Sequence, residues 1–242
     1  MPSALRPHKR SRRESGHLVD PGLGSRYGEG PVKTRRQRYS DSTKRALVDV
    51  AEKLFTDHGY SATSLDAIVA GADVTKGALY HHFSGKQAIF EAAFERIESR
   101  ATASIGAATE GHDDPWEKAR AGLRAFLEAV QEPGYRQVVI SDGPSVLGHE
   151  RFREQEERST YAIVDEIVRS VLAGDEWGLD EEMLDTFTRI FFGAMSAAGG
   201  SVAVSDDPAA AAARVDAAIG FIMDGLRQLL HAEAGNGVTS RT

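Results

Sequence analysis

The chain has 242 residues, of which 41% are hydrophobic and 27% charged, an ordinary composition for one large folded domain or two smaller ones. It contains no cysteine, which excludes disulfides, thiolate zinc sites and cysteine nucleophiles. No apolar run reaches the ~18 residues that a membrane helix needs, and no apolar stretch follows the N-terminal charges as in a signal peptide. We therefore expect a cytoplasmic protein that does not partner a membrane.

The net charge of −7 is unevenly distributed along the chain. Residues 1–40 hold ten bases and three acids, a balance of +7, so the remainder carries −14. Residues 1–39 also contain prolines and glycines and show no hydrophobic period, which predicts a disordered basic arm. Such an arm suits a polyanionic partner, although a solvated tail is the plainer alternative.

Helical periodicity predicts an ordered domain over residues 40–94. The apolar positions after Ser40 and Asp41 recur at helical spacing and end at Gly59. Thr63 is a candidate cap for a short second helix, and Thr75 for a third over 76–83. A long fourth helix is expected from Lys86.

Over the rest of the chain, residues 95–242, the sequence pattern predicts only helices. They are expected from Asp114 to Glu132, from the turn near Pro144 to about Ala173 with a stop at Gly174, and over 180–204 and 208–232. A short apolar piece lies at 135–141. The expected fold is all-α, with about nine helices, a helix-turn-helix in the N-terminal domain and a helical C-terminal domain.

The two short helices around 64–70 and 76–83 are the strongest functional signal. Two short helices joined by a tight turn form a helix-turn-helix, but many helical proteins contain such a corner. The run from Thr75 to Phe83, TKGALYHHF, followed by Lys86, is more specific, and it resembles the DNA-binding domain of TetR-family transcriptional regulators over residues 41–94. The family usually has glycine in the turn where this chain has Asp73, a residue type that tolerates positive φ better than most.

The resemblance implies that the third helix lies in the major groove of DNA. Gly77 and Ala78 leave room for base edges, Lys76 can reach a guanine or a phosphate, and Tyr80 can contact a phosphate. The predicted DNA-binding residues are Thr63, Ser64, Thr75, Lys76, Gly77, Ala78, Tyr80, His81, His82 and Lys86. Each also has a structural interpretation, as a helix cap or as scaffold. His81 and His82 point about 100° apart on a helix and are not expected to share a metal.

The C-terminal domain resembles the ligand-binding and dimerisation domains of the same family, and less specifically. Aromatic and semipolar positions are candidates for a small-molecule effector pocket, with core packing as the alternative: Trp116, Arg120, Phe126, Tyr135, His149, Phe152, Phe187 and Met195. The last two helices carry more apolar faces than one core needs, which favours a homodimer. The candidate interface residues are Phe191, Ala194, Ala198, Ile219, Ile222 and Leu226.

No catalytic motif is recognisable: there is no phosphate-binding loop, nucleophile elbow or HExxH. We expect no enzyme activity, no metal and no cofactor. The sequence thus predicts a ligand-responsive regulator of transcription, most simply a repressor that leaves a palindromic DNA operator when its effector binds. A helical adaptor or an enzyme that kept the fold without operator binding is the alternative.

Overall fold

The computed structural model describes residues 34–172 and 178–236, with residues 156, 157, 159 and 230–236 described as backbone alone. Most of the basic arm, residues 1–33, and the expected helix stop at Gly174 therefore lie outside the described residues. The described part contains ten α-helices and a π-helical segment, and no strand. The elements are α1 (Arg35–Ala62), α2 (Leu65–Gly71), α3 (Lys76–His82), α4 (Lys86–Thr109), α5 (Pro115–Gln131), the π-helical segment (Tyr135–Asp142), α6 (Gly143–Leu147), α7 (His149–Ser159), α8 (Tyr161–Leu172), α9 (Glu181–Ala203) and α10 (Pro208–Asn236).

The all-α class is confirmed, but two helix boundaries were predicted wrongly. Helix α1 begins at Arg35 rather than at Ser40, because the Thr34 side chain accepts a hydrogen bond from the Gln37 backbone N–H and the Gln37 side chain accepts one from the Thr34 N–H. The single helix expected from Pro144 to Ala173 is instead α6, α7 and α8. Gly148, at φ +81°, separates α6 from α7 in a backbone conformation that a helix cannot continue.

The helix-turn-helix packs tightly on α1. Ile68 of α2 and Leu79 of α3 are fully buried. A Cβ placed on Gly71 would lie 2.7 Å from Val50 Cγ1, so the end of α2 approaches α1 as closely as a glycine permits. In the turn, Asp73 adopts φ +52°, the left-handed conformation expected where the family usually has glycine.

Helix α4 connects this unit to the rest of the molecule. Phe90 lies between Phe55 and Tyr60 of α1, with ring centroids 5.2 Å from each. Further along α4, Phe94 contacts Phe152 of α7 at 6.0 Å. One hydrophobic core therefore extends from the DNA-binding helices into the C-terminal helices.

Ion pairs reinforce the contact between α1 and α4. Arg96 donates to Glu52 (2.6 Å) and to Asp49, and Arg100 donates to Glu52 (2.6 Å). Burial raises the pKa of Glu52, but the hydrogen bonds from Arg100 and Arg96 outweigh it, so the pKa of this carboxyl is lowered overall.

The lowered pKa of Glu52 predicts a pH-dependent contribution to stability. The ion pairs stabilise the fold above the ordinary pKa of a glutamate, and this stabilisation is lost as pH falls through the lowered folded-state value. Glu52→Gln should therefore reduce the stability at pH 7 by about 1 kcal/mol, a few degrees in Tm. In acid, once Glu52 is protonated in both states, the two proteins should unfold at similar temperatures. Thermal unfolding from pH 7 to pH 3 measures this.

Asp57→Asn is the matched control, because the Lys53–Asp57 pair lies on the solvent-exposed side of the same helix. It should change Tm little at any pH. An equal loss in both variants would mean that the contact between α1 and α4 is not the source of the effect.

Candidate nucleic-acid interface and cavity

The two helices of the helix-turn-helix are each capped by a hydroxyl side chain. Ser64 Oγ accepts from the Ala67 N–H at 3.1 Å, and Thr75 Oγ1 accepts from the Ala78 N–H at 3.2 Å. Both side chains are exposed. The first turn of a helix has further backbone N–H groups without partners inside the helix, and an anion such as a phosphate can accept hydrogen bonds from such groups.

Helix α3 presents an outward face of predicted residues. On α3, the exposed residues are Lys76, Gly77, Tyr80 and His81, whereas Ala78 and His82 are half-buried. Lys86, the first residue of α4, is also half-buried. Among the described residues, a Cβ on Gly77 would meet only Thr75 Oγ1, at 3.9 Å, so no contact in this part of the chain explains the absence of a side chain there. The small profile of this face would let an external surface approach the helix backbone closely.

Thr63 has to be corrected as a site residue. Its side chain is buried, and its hydroxyl donates to the Gly59 carbonyl oxygen at 2.9 Å and lies 3.1 Å from that of Leu54. Ser64, and not Thr63, caps α2. Thr63 therefore closes the end of α1 and does not offer its hydroxyl to a ligand outside.

Both lysines of the predicted site make contacts within the chain. Lys76 Nζ lies 2.7 Å from Asp66 Oδ1, so it links α3 to α2, and the hydrogen bond to Asp66 raises the pKa of Lys76. Lys86 Nζ lies 4.2 Å from the centroid of the Tyr60 ring and donates to the Ser61 carbonyl at 3.4 Å. Each lysine thus has a defined position beside the helix-turn-helix.

The rings of the adjacent His81 and His82 meet edge to face. Their ring centroids are 5.1 Å apart at an interplanar angle of 72°. Burial, followed by the nearby His81 and Lys44, lowers the pKa of His82, with Asp41 acting in the opposite sense. Within residues 34–172 and 178–236, no group of three or more acidic or histidine side chains is placed to hold a metal ion.

The C-terminal helices enclose a cavity of about 150 Å³. Its walls are mainly apolar side chains of α5, α8, α9 and α10, with Ile105 from α4. Of the residues predicted for an effector pocket, Trp116, Phe126, Tyr135 and Met195 line it.

The other predicted pocket residues lie elsewhere. Arg120 is turned outward to an ion pair with Asp224 of α10. His149 is exposed at the start of α7, and Phe152 packs against Phe94 and closely against Gly143. Phe187 is half-buried on α9 outside the cavity lining.

Three residues predicted for the dimer interface face the interior instead. Phe191, Ile219 and Leu226 line the cavity. Of the remaining candidates, Ala194 and Ile222 are exposed and Ala198 is half-buried. Besides the predicted Ile222, the large apolar side chains exposed on the described parts of α9 and α10 are Met183, Ile190, Phe221 and Leu229, which the sequence analysis did not select.

Sequence reasoning missed the cavity's acid, Glu98. It is 5% exposed and lies in the cavity lining. Its position in the helical repeat could have revealed it. Glu98 follows Phe94 by four residues and precedes Ile105 by seven, and this spacing places it on the apolar face of α4. Thr160 and Ser196 add hydroxyls to the lining and were also missed.

Two family models match the chain, one within each of its two expected domains. The model described as bacterial regulatory proteins, tetR family, matches residues 47–93, and that of the Tetracyclin repressor-like C-terminal domain matches residues 116–226. The chain belongs to the TetR family of transcriptional regulators, with a helix-turn-helix DNA-binding domain.

Two curated proteins are similar to part of the chain. The Transposon Tn10 TetC protein of Escherichia coli is 29% identical over 48% of this chain and 58% of its own length. The HTH-type transcriptional activator FasR of Mycolicibacterium smegmatis is 30% identical over 42% of this chain and 48% of its own length. The chain thus spans about half the length of these curated relatives.

A solved structure matches over a larger share. A TetR-family transcriptional regulator from Pectobacterium atrosepticum is 28% identical, with a TM-score of 0.66, over 80% of this chain and 97% of its own. Among the described residues, no helix is long and apolar enough to cross a membrane.

The buried hydroxyl of Thr63 predicts a loss of stability upon its removal. Thr63→Val keeps the shape of the side chain but removes the hydroxyl that donates to the Gly59 carbonyl, which should cost about 1–2 kcal/mol in urea unfolding. Tyr80→Phe, which removes an exposed hydroxyl, should leave the free energy of unfolding unchanged. If Thr63→Val were as stable as the wild type, the hydroxyl would not hold the end of α1 as the structure indicates.

Proposed function

We propose that the protein is a cytoplasmic homodimer that binds a palindromic DNA operator through α3 and leaves it when a small molecule occupies the C-terminal cavity. The observation that carries the DNA-binding part is the outward face of α3. That face is exposed, carries no side chain at Gly77 and lies beside the capped start of α3.

In this proposal base contacts and phosphate contacts come from different residues. Gly77 and Ala78 let the helix approach base edges, and the Ala78 methyl can meet a thymine methyl. The Tyr80 hydroxyl and the helix starts at Ser64 and Thr75 position the protein on phosphates. Lys76 can reach a guanine edge if it exchanges its ion pair with Asp66 for the DNA.

Electrostatics favours a contribution from the start of α1. Residues 41–88 carry five bases and six acids, so the helix-turn-helix is not basic as a whole. Arg35, Arg36 and Arg38 are exposed on the first turns of α1. We propose that these arginines continue the basic arm onto the folded domain and supply salt-dependent affinity.

Gly77 offers a direct test of DNA binding. Gly77→Val adds a side chain into open space, so the fold should tolerate it, whereas a helix lying in the groove should not. We expect the affinity for a duplex obtained by in-vitro selection to fall by about 1–3 kcal/mol, which is roughly tenfold to a hundredfold. Fluorescence anisotropy with operator and scrambled duplexes measures this, and the selected sequences should show dyad symmetry.

The matched control is Gly106→Val, because Gly106 is also a helical glycine with open space around its missing Cβ, and it lies on α4 far from α3. It should bind the operator like the wild type. Equal affinity of Gly77→Val and Gly106→Val, or selected duplexes without symmetry, would contradict the proposed docking of α3.

The dimer is proposed from the outward face of α9 and α10. Ile190 on α9 is 60% exposed, and on α10 the exposed fractions are 81% for Phe221 and 61% for Leu229. Large apolar side chains repeated at helical spacing on two neighbouring helices indicate a surface that packs against another protein. A second copy of the chain is the partner that also supplies the second recognition helix of a symmetric operator.

Phe221→Asp should therefore convert the dimer to monomer. A carboxylate without a partner is costly in a dry interface between helices, and sedimentation should show the monomer mass with weakened operator binding. Tyr39→Asp removes an aromatic residue that is equally exposed, on α1, and should leave the dimer intact. A stable Phe221→Asp dimer would place the interface on another surface.

Two routes connect the cavity to the DNA-binding helices. Helix α4 contributes Glu98 and Ile105 to the cavity and begins at Lys86, beside Tyr60 of α1. The π-helical segment contributes Tyr135 and Ile140 to the cavity, and at its other end Asp142 accepts from the Tyr60 backbone N–H at 2.8 Å.

We propose that an effector moves α3 through these two elements. The effector must bind the conformation that is incompetent for DNA better than the competent one, since otherwise the equilibrium does not shift. A repressor role is the simplest form of this proposal, although the relative from Mycolicibacterium smegmatis is described as an activator.

A further inference from the structure

We infer that the effector is a small apolar molecule that presents a hydrogen-bond donor or a positive charge to Glu98, and that the cavity discriminates against carboxylates. This inference deepens the proposed function, because it assumes that the cavity of the C-terminal helices is the effector site. It rests on three observations: the size of the cavity, its apolar walls, and the acidic side chain of Glu98 in the described part of its lining.

The size of the cavity sets the size of its ligand. At about 150 Å³, it is comparable to apolar protein cavities that take up a single benzene ring. A ligand of roughly six to ten non-hydrogen atoms fits such a space. Ile163, Ile167 and Phe192 are among the apolar walls that would enclose its ring or chain.

The polar groups of the lining determine which head group is accepted. Glu98 is the one carboxyl in the lining, and no lysine, arginine or histidine accompanies it in the described part of the cavity wall. Arg120, the arginine predicted for the pocket, is not in the described lining and forms an ion pair with Asp224. In the described lining, the other side chains with oxygen are the hydroxyls of Tyr135, Thr160 and Ser196.

The buried carboxyl of Glu98 favours ligands that donate a hydrogen bond or carry a positive charge. A ligand ammonium or hydroxyl can donate to the Glu98 carboxyl, and a hydrogen bond in which one partner is charged is among the stronger ones. A ligand carboxylate would place a second acid beside the first, where both cannot readily ionise, and the described lining contains no lysine, arginine or histidine to compensate. The aromatic walls, which include Trp116 and Phe126, also suit a cation.

Four probes of the same ring size separate these possibilities: benzylamine, benzyl alcohol, toluene and benzoate. Their affinities for the full chain, without DNA, are measured by calorimetry up to millimolar concentrations. We expect benzylamine and benzyl alcohol to bind at least tenfold more tightly than benzoate, with toluene between them and benzoate.

Variants of α4 assign the preference to Glu98. Glu98→Gln is nearly isosteric and should weaken benzylamine at least tenfold while it changes toluene little. Glu95→Gln, on the same helix but exposed and outside the cavity, is the matched control and should bind every probe like the wild type. The comparison of the four probes on the wild type stands even if Glu98→Gln does not fold.

Three results would overturn the inference: benzoate binding as tightly as benzylamine, no probe binding at all, or an unchanged ratio of benzylamine to toluene in Glu98→Gln. The proposed regulatory function is tested separately, by measuring operator affinity in the anisotropy assay with each probe present. If the probes bind as expected but leave operator affinity unchanged, the ligand class is supported and the proposed link between the cavity and DNA binding is rejected.

Discussion

Helix α4 has to satisfy two environments along one continuous stretch of 24 residues. Its first turns bury Ile89, Phe90 and Phe94 in the core shared with α1, and its later turns bring Glu98 and Ile105 to the cavity. In the proposed function, a displacement of this helix by an effector in the cavity would reach its contacts with α1. Glu98 would then link the ligand to the helix that packs against α1.

The DNA-binding half could be predicted from the sequence because its determinants are local. Short helices, hydroxyl caps and a tight turn are specified by residues within a few positions of one another, and Asp73 takes the positive φ that the turn requires. Thr63 shows the limit of that reasoning. A threonine before a helix looks like a cap, and only the packing of α1 shows that its hydroxyl is enclosed by the carbonyls of Leu54 and Gly59.

The C-terminal half could be predicted as helical, but the direction of its residues could not. Along α9 and α10 apolar residues occur on nearly every side, so periodicity does not separate the face toward the cavity from the face toward a partner. Ile190 and Phe191 are adjacent, yet the first is exposed and the second lines the cavity. The break at Gly148 was also missed, since a single glycine within an otherwise helical pattern does not by itself reveal a positive φ.

The contacts that α1 makes with α4 and with the π-helical segment differ in kind, and this difference bears on how the proposed switch could work. Phe90 packs against Phe55 and Tyr60, and such packing loses energy steeply when the rings separate. Other contacts are polar: Arg96 with Glu52, and Asp142 with the Tyr60 N–H. Polar groups can exchange one partner for another or for water at little net cost, because both states remain hydrogen-bonded. In the proposed function, an exchange of these polar contacts would therefore cost less than a separation of the aromatic rings.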